Sequence, residues 1–154
     1  MQMLQGTHYF ELIDEVFKSV TGPQGFEIRK ENEKLFIARK GDLELLFRLE
    51  VGYQAYYFSL EIRLLGRLGE RATTDSHYRH LGVTAIAKCC DPNHKMSAEA
   101  ADTTEKLQKM METQKEELLK YCADILAGDV SSWSRIVDCL MKKGAEAKHK
   151  THEV

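Results

Sequence analysis

Three histidines and two cysteines near the middle of the chain are the residue types best suited to chemistry. His77, His80 and His94 flank the vicinal pair Cys89 and Cys90. Zinc prefers such ligands, usually at Cys-x2–4-Cys or His-x3–5-His spacings. Neither spacing occurs here, and vicinal cysteines on a strand would point to opposite faces. We therefore expect ordinary surface histidines and a buried thiol, with no metal and no cofactor.

The same residues could instead supply a thiol nucleophile, with one histidine as its base. Such a pair needs hydrogen-bond reach and a third group that orients the base. The chain has no Gly-x-Ser-x-Gly, Cys-x-x-Cys or His-Glu-x-x-His pattern. We predict no catalytic residue and lean against an enzyme. A small enzyme or metal-dependent hydrolase built on His77, His80, Cys89 and His94 is the alternative.

The stretch from Asp42 to Leu64 has the pattern of two strands, and many of the polar side chains considered for binding belong to it. Apolar and polar side chains alternate in its two halves, and a short segment with glycine and tyrosine joins them. Period-two alternation indicates strands with one buried face and one solvent-exposed face, and the short connection predicts a hairpin. Leu46 breaks the alternation. We expect Leu46 and Leu65 to be exposed apolar positions, and with an edge strand that must be covered they make a homodimer possible.

The polar side of this hairpin is the candidate binding surface. Its carboxylates could do acid–base work, but interleaved arginines favour cross-strand ion pairs. A charged face beside tyrosines also suits a protein interface, while the alternative is an aromatic loop packed on its own sheet. The predicted partner-binding residues are Glu44, Arg48, Glu50, Tyr53, Tyr56, Tyr57, Glu61 and Arg63.

The remaining elements follow from periodicity and breakers. Helical spacing predicts a first helix over His8–Val20, ended by a Thr-Gly-Pro sequence. Two weaker strands follow the first helix, Gly25–Lys30 and Leu35–Arg39. A fifth strand is predicted within His77–Cys90, from the alternation at Val83–Cys89. After it the pattern predicts a long helix over Ser97–Ala127, capped by Gly128, and a last helix from Asp129 to Gly144.

These elements predict an α+β fold, with an N-terminal helix, an antiparallel meander of four or five strands, and two C-terminal helices packed on the sheet. The length of 154 residues suits one domain. We predict that this domain spans residues 1–143, and that residues 144–154 form a polar, disordered tail.

Charge and composition narrow the class of partner. The chain has 22 Lys and Arg against 24 Asp and Glu, a balance that disfavours nucleic acid. No window is apolar enough for a membrane helix, and the first residues lack the features of a signal peptide. With four cysteines and no sign of secretion, we expect free thiols in the cytoplasm.

The order of elements resembles one family type. It is carried by Gly25-Phe26 entering the meander, Leu81-Gly82-Val83, and a helix that ends in Ile125-Leu126-Ala127-Gly128-Asp129 with Trp133 after it. This is similar to small bacterial α+β domains that are grouped with immunity proteins of polymorphic toxin systems. The resemblance implies a cytoplasmic, non-catalytic inhibitor that binds a cognate protein toxin. It supplies no site residues, and the near-neutral charge differs from the acidic immunity proteins that pair with basic nucleases.

Overall fold

The computed structural model describes residues 6–95 and 100–152, and side chains from residue 8 to 144 within those ranges. It shows the α+β fold that the sequence predicts. The elements in chain order are α1 (Gly6–Thr21), β1 (Glu27–Asn32), β2 (Leu35–Lys40), β3 (Leu43–Gly52), β4 (Ala55–Leu64), α2 (Gly66–Ala72), a 3₁₀ turn (Ser76–Tyr78), β5 (His80–Gly82), α3 (Val83–Cys90), α4 (Thr104–Tyr121), α5 (Ala123–Leu126) and α6 (Trp133–His152).

The sheet is an antiparallel meander in which the strands lie in chain order, β1-β2-β3-β4-β5. Its centre is the β3–β4 hairpin, which pairs from Leu43 with Leu64 down to Gly52 with Ala55. Only Tyr53 and Gln54 form the turn. The predicted hairpin and the two weaker strands before it are confirmed, with boundaries shifted by one or two residues at most of their ends.

One face of the sheet carries the main hydrophobic core. The ring of Phe17 in α1 lies 4.8 Å from Phe47 and 5.9 Å from Phe58, so the first helix covers this face. Trp133 at the start of α6 is fully buried. Its indole N–H donates to the Tyr78 carbonyl at 2.7 Å, which satisfies the polar atom of this core side chain.

Helix α4 closes the outer edge of β4 where β5 is too short to do so. Strand β5 pairs only with Glu61–Arg63 of β4. Beyond it, the Gln114 amide donates to the Phe58 carbonyl and accepts from the Leu60 N–H, both at 2.7 Å. Further along, Ala101 exchanges two backbone hydrogen bonds with Tyr56. Helical side chains and one bridge thus satisfy groups that a longer fifth strand would otherwise bond.

The fifth strand exists, but not where the alternation placed it. It is the short His80–Gly82, and Val83–Cys90 is a helix. Within α3 the buried residues are Val83, Ile86 and Ala87, which have the i, i+3, i+4 spacing of one helical face. A run of small apolar residues fits both periods, and packing against α4 and α6 decides for the helix.

The predicted long helix is shorter and is interrupted. Residues 97–99 of its predicted start lie outside the described residues. Its first turn begins at Thr104, where the Thr103 hydroxyl caps the helix by accepting from the Lys106 N–H. The helix breaks at Cys122, and α5 follows it. The predicted cap at Gly128 is confirmed by its left-handed backbone, with φ of 91°.

The last helix also differs from its prediction at both ends. The carboxylate of Asp129 accepts from the Ser131 N–H in a turn, and the helix starts only at Trp133. Gly144 does not end it, because α6 continues to His152. A single glycine inside a helix costs about 1 kcal/mol relative to alanine, which is too little to stop a long helix by itself.

Candidate partner-binding face

The second face of the sheet is polar and its outermost side chains reach solvent. Strand register places a row of alternating charge across it, from Glu27 through Arg39 and Glu44 to Arg63, and His80 follows Arg63. We call this surface the open face. It consists of Glu27, Arg29, Leu35, Ile37, Arg39, Glu44, Leu46, Arg48, Glu50, Tyr57, Ser59, Glu61, Arg63, His80 and Gly82.

Two apolar side chains lie beneath the charges of the open face. Ile37 and Leu46 are directly opposite each other on β2 and β3, and they are 2% and 0% exposed. Neither belongs to the main core cluster on the other face. The expectation that Leu46 is an exposed apolar residue is therefore wrong. Long side chains of neighbouring arginines and glutamates can cover such a pair with their apolar stems while their charged ends stay wet.

The first ion-pair cluster centres on Glu44, whose side chain is only 1% exposed. Arg63 donates to its carboxylate from Nε at 2.7 Å, and the Nη2 atom lies at 2.6 Å. Arg29 approaches the other carboxylate oxygen at 3.6 Å. A buried carboxylate is tolerated where cations compensate its lost hydration, so Glu44 serves the sheet itself.

The second cluster centres on Glu61. Arg48 donates to its carboxylate at 3.0 Å, and the His80 ring nitrogen lies 2.6 Å from it. Burial acts to raise the pKa of Glu61, but the hydrogen bonds from His80 and Arg48 outweigh it and hold that pKa at about 2. Glu61 therefore stays ionised at any physiological pH and cannot act as a general acid.

The charges of the open face cancel. Four arginines (Arg29, Arg39, Arg48, Arg63) stand against four glutamates (Glu27, Glu44, Glu50, Glu61). A surface of this kind attracts neither a polyanion nor a polycation over long range. It can, however, offer local hydrogen bonds to a partner with its own mixed polar surface.

The tip of the β3–β4 hairpin adds an exposed aromatic end to the open face. Tyr53 is 93% exposed and Tyr57 is 47% exposed, while Val51, 37% exposed, lies on the other face of the tip. Gln54, the second turn residue, has φ of 61°, a left-handed conformation that is uncommon outside glycine and asparagine. The tip thus presents tyrosine to solvent on a tight turn with unusual backbone geometry.

The predicted binding residues fall into three environments. Glu44, Arg48, Glu50, Glu61 and Arg63 share the open face, as the alternation indicates. Tyr53 and Tyr57 are exposed at its end, whereas Tyr56 is 2% exposed and belongs to the core on the other face. The inclusion of Tyr56 in the surface was wrong, because its place in the alternation puts it opposite Val51 on the core side.

The histidines and cysteines considered for metal or thiol chemistry do not form one site. His77 is exposed in the 3₁₀ turn, and His80 is engaged with Glu61. His94 instead lies 2.6 Å from Glu117 of α4. Within the described ranges no three His, Cys, Asp or Glu side chains are arranged to hold a metal ion.

The sequence alone missed two groupings between the helices. Glu117 is 4% exposed and accepts from the Thr84 hydroxyl at 2.9 Å while it contacts His94, so it fastens the segment after α3 to α4. Cys89 and Cys90 line a cavity with residues of α6. They can do so together because consecutive residues of a helix are about 100° apart, not on opposite faces as in the predicted strand.

None of the helices in residues 6–95 and 100–152 combines the length and apolarity needed to cross a bilayer. Comparison with protein-family models, with curated proteins and with solved structures found no match to this chain.

Proposed function

We propose that this protein is a non-catalytic binding protein that docks a protein partner on the open face and the hairpin tip. The observation that carries the proposal is Tyr53, 93% exposed at the end of the longest hairpin. Tyrosine buries a large area with little loss of conformational freedom and is enriched among residues that dominate binding energy. Tyr53 also precedes Gln54, whose left-handed backbone is of a kind that clusters at functional sites.

The surroundings of Tyr53 favour a protein over other ligands. Tyr57 adds a second exposed ring on the open face, and Glu50, its partner across the hairpin, is exposed and charged. An apolar centre with a polar rim is the usual organisation of a protein interface. The balanced charge of the open face gives no reason to expect nucleic acid.

The specific form of the proposal is the role that the resemblance implies. In that form the partner is a cognate protein toxin in the cytoplasm, and binding neutralises it. The support is twofold: the element order of the chain, and the exposed tyrosines at the end of the open face. A nuclease with a strongly basic surface is the less suitable toxin, because the open face is not acidic.

The test combines capture with matched variants. The wild-type protein is used to capture its partner from lysate of its own host, and the partner is identified by native mass spectrometry. Affinity is then measured for Tyr53→Ala with Tyr57→Ala. We expect a loss of roughly 30-fold for each tyrosine replaced, since aromatic hot spots contribute about 2 kcal/mol each. Glu50→Lys should weaken binding less and make it more dependent on salt.

The control pair lies elsewhere on the molecule. Leu119 and Met141 are also exposed apolar residues, 45% and 50% exposed, on α4 and α6. Their replacement by alanine should leave affinity unchanged. If this pair weakened binding and the tyrosine pair did not, the chosen surface would be wrong. The inhibitory role has its own readout: a partner whose activity or toxicity is unaffected by saturating wild-type protein would reject the toxin-neutralising form.

A further inference from the structure

A cavity of about 300 Å³ between α3 and α6 is lined by three of the four cysteines of the chain. Its lining consists of Cys89, Cys90, Arg135, Ile136 and Cys139. This volume is at the lower end of the range for small-molecule sites. The fourth cysteine, Cys122, is buried in the core and does not line it.

Two of these thiols face the cavity from different helices. Cys89 of α3 and Cys139 of α6 both line it, and Cys139 is close enough to act on the Cys89 thiol. Both are partly accessible, and α3 packs directly on α6. Thiols that face one cavity from two packed helices need less movement to become bonded than cysteines that packing keeps apart.

The one cation of the cavity lining is placed beside the same pair. Arg135 precedes Cys139 by four residues on α6, so the two side chains project from one face of the helix. A guanidinium at this place attracts an anionic molecule, and it acts to lower the pKa of Cys90 against the effect of burial.

We propose that this cavity is a thiol–disulfide exchange site, in which a small disulfide with net negative charge enters beside Arg135 and converts Cys89 and Cys139 into a reversible disulfide between α3 and α6. The Cys139 thiolate attacks one sulfur of the small disulfide, whose S–S bond breaks, and one half leaves as a thiolate. The Cys89 thiolate then attacks the Cys139 sulfur and releases the other half. Two protein thiols are oxidised, one small disulfide is reduced to two small thiols, and the two protons lost by the protein end on them.

The exchange is slow at neutral pH and becomes faster as pH rises. Burial raises the pKa of Cys89 to about 12, and the hydrogen bond with Cys139 and the nearby Cys90 act in the same direction, while Lys143 opposes them. The thiolate is the nucleophile in each step, so a protonated Cys89 delays the second one. The site is therefore suited to sustained oxidising conditions rather than to brief ones.

The first experiment uses the wild-type protein, so that no variant needs to fold. Reduced protein is incubated with oxidised glutathione, which is anionic, and followed by intact mass and by tryptic mapping without reduction. We expect loss of two hydrogen atoms and a cross-linked peptide that joins Cys89 to Cys139. Thermal unfolding should shift upwards by roughly 10 °C, because the bond closes a long loop of the unfolded chain. A stable mixed disulfide alone, or a crosslink between other cysteines, would overturn the proposal.

Variants separate the roles of the individual groups. Cys89→Ser should stop at one glutathionyl group on Cys139, while Cys90→Ser and the core control Cys122→Ser should still form the crosslink. Arg135→Gln should react roughly fivefold more slowly with oxidised glutathione at low salt, yet no more slowly with the cationic disulfide cystamine. Equal slowing with both reagents would contradict the part assigned to Arg135, and loss of the crosslink in Cys90→Ser would contradict the assigned pair.

Discussion

The side-chain oxygen of Gln114 accepts a hydrogen bond from the backbone N–H of Leu60 at 2.7 Å, in the way that the carbonyl of a neighbouring strand would. The same amide donates to the Phe58 carbonyl, so one side chain supplies both a donor and an acceptor to the sheet edge. Leu60 is 1% exposed, so water has little access to the groups that Gln114 bonds. The stability of the sheet therefore depends on a polar residue of a helix.

The first prediction concerns this contact. Gln114→Met keeps the length of the side chain but removes both hydrogen bonds, leaving two shielded backbone groups without partners. Because each such group costs about 1–3 kcal/mol, we expect the free energy of unfolding to fall by roughly 2–4 kcal/mol. Urea denaturation measures it. Glu116→Met, at an exposed position of the same helix, is the control and should change stability little.

The second prediction concerns the buried ion pair of Glu44 with Arg63. A double-mutant cycle with Glu44→Ala and Arg63→Ala should give a coupling free energy of about 1–3 kcal/mol, because Glu44 is almost fully shielded from solvent. The exposed pair of Lys30 with Glu33 serves as the control, and its coupling should be below about 0.5 kcal/mol. Equal coupling in the two pairs would show that burial of Glu44 has no energetic consequence.

The third prediction is a pH dependence set by Glu61. Its pKa is about 2 in the folded protein and 4.5 in the unfolded reference, so the unfolded state takes up the proton first as pH falls. The stabilisation is complete above pH 4.5 and is lost as pH falls towards 2. With allowance for solvent screening, it is worth about 2 kcal/mol.

Glu61→Gln removes this titration while it keeps the shape of the side chain. The difference in unfolding free energy between wild type and variant should shrink across the same pH interval. A constant difference from neutral pH to pH 2 would contradict the low pKa of Glu61.

The fourth prediction concerns the hairpin turn. Gln54 has φ of 61°, which glycine adopts without strain. We expect Gln54→Gly to raise the free energy of unfolding by about 0.5–1 kcal/mol, as measured in urea. Gln54→Ala keeps the unfavourable conformation and is the control that should bring no gain. If alanine stabilised the protein as much as glycine, side-chain loss and not backbone strain would be the cause.

Local patterns were sufficient for much of the fold because they report which face of an element is buried. Alternation located the β3–β4 hairpin and put Glu44 and Arg63 on the same face. It could not show that Glu44 is shielded, since that depends on where the side chains of Arg29 and Arg63 reach across strands. Likewise, Leu46 looked like a break in the pattern, and only its contact across the sheet with Ile37 explains it.

The errors came from tertiary packing that competes with a local signal. The run Val83–Cys90 satisfies both strand and helix periods, and its packing on α4 and α6 selects the helix. No sequence pattern links Cys139 to Cys89, because the two are 50 residues apart and only the packing of α6 on α3 brings them together. Gln114 lies four residues from both Met110 and Leu118, which are buried on α4, and helical spacing gives no reason for a polar residue between them.

The closure of the β4 edge by α4 also sets an order of events during synthesis. Leu60 and its partner Gln114 are 54 residues apart, a length that takes roughly 3–10 s to translate. A hairpin that forms within that interval has an edge whose N–H and C=O groups can pair with another nascent chain. Any condition that delays translation or docking of α4 should therefore favour aggregation of the incomplete nascent chain and its binding by chaperones.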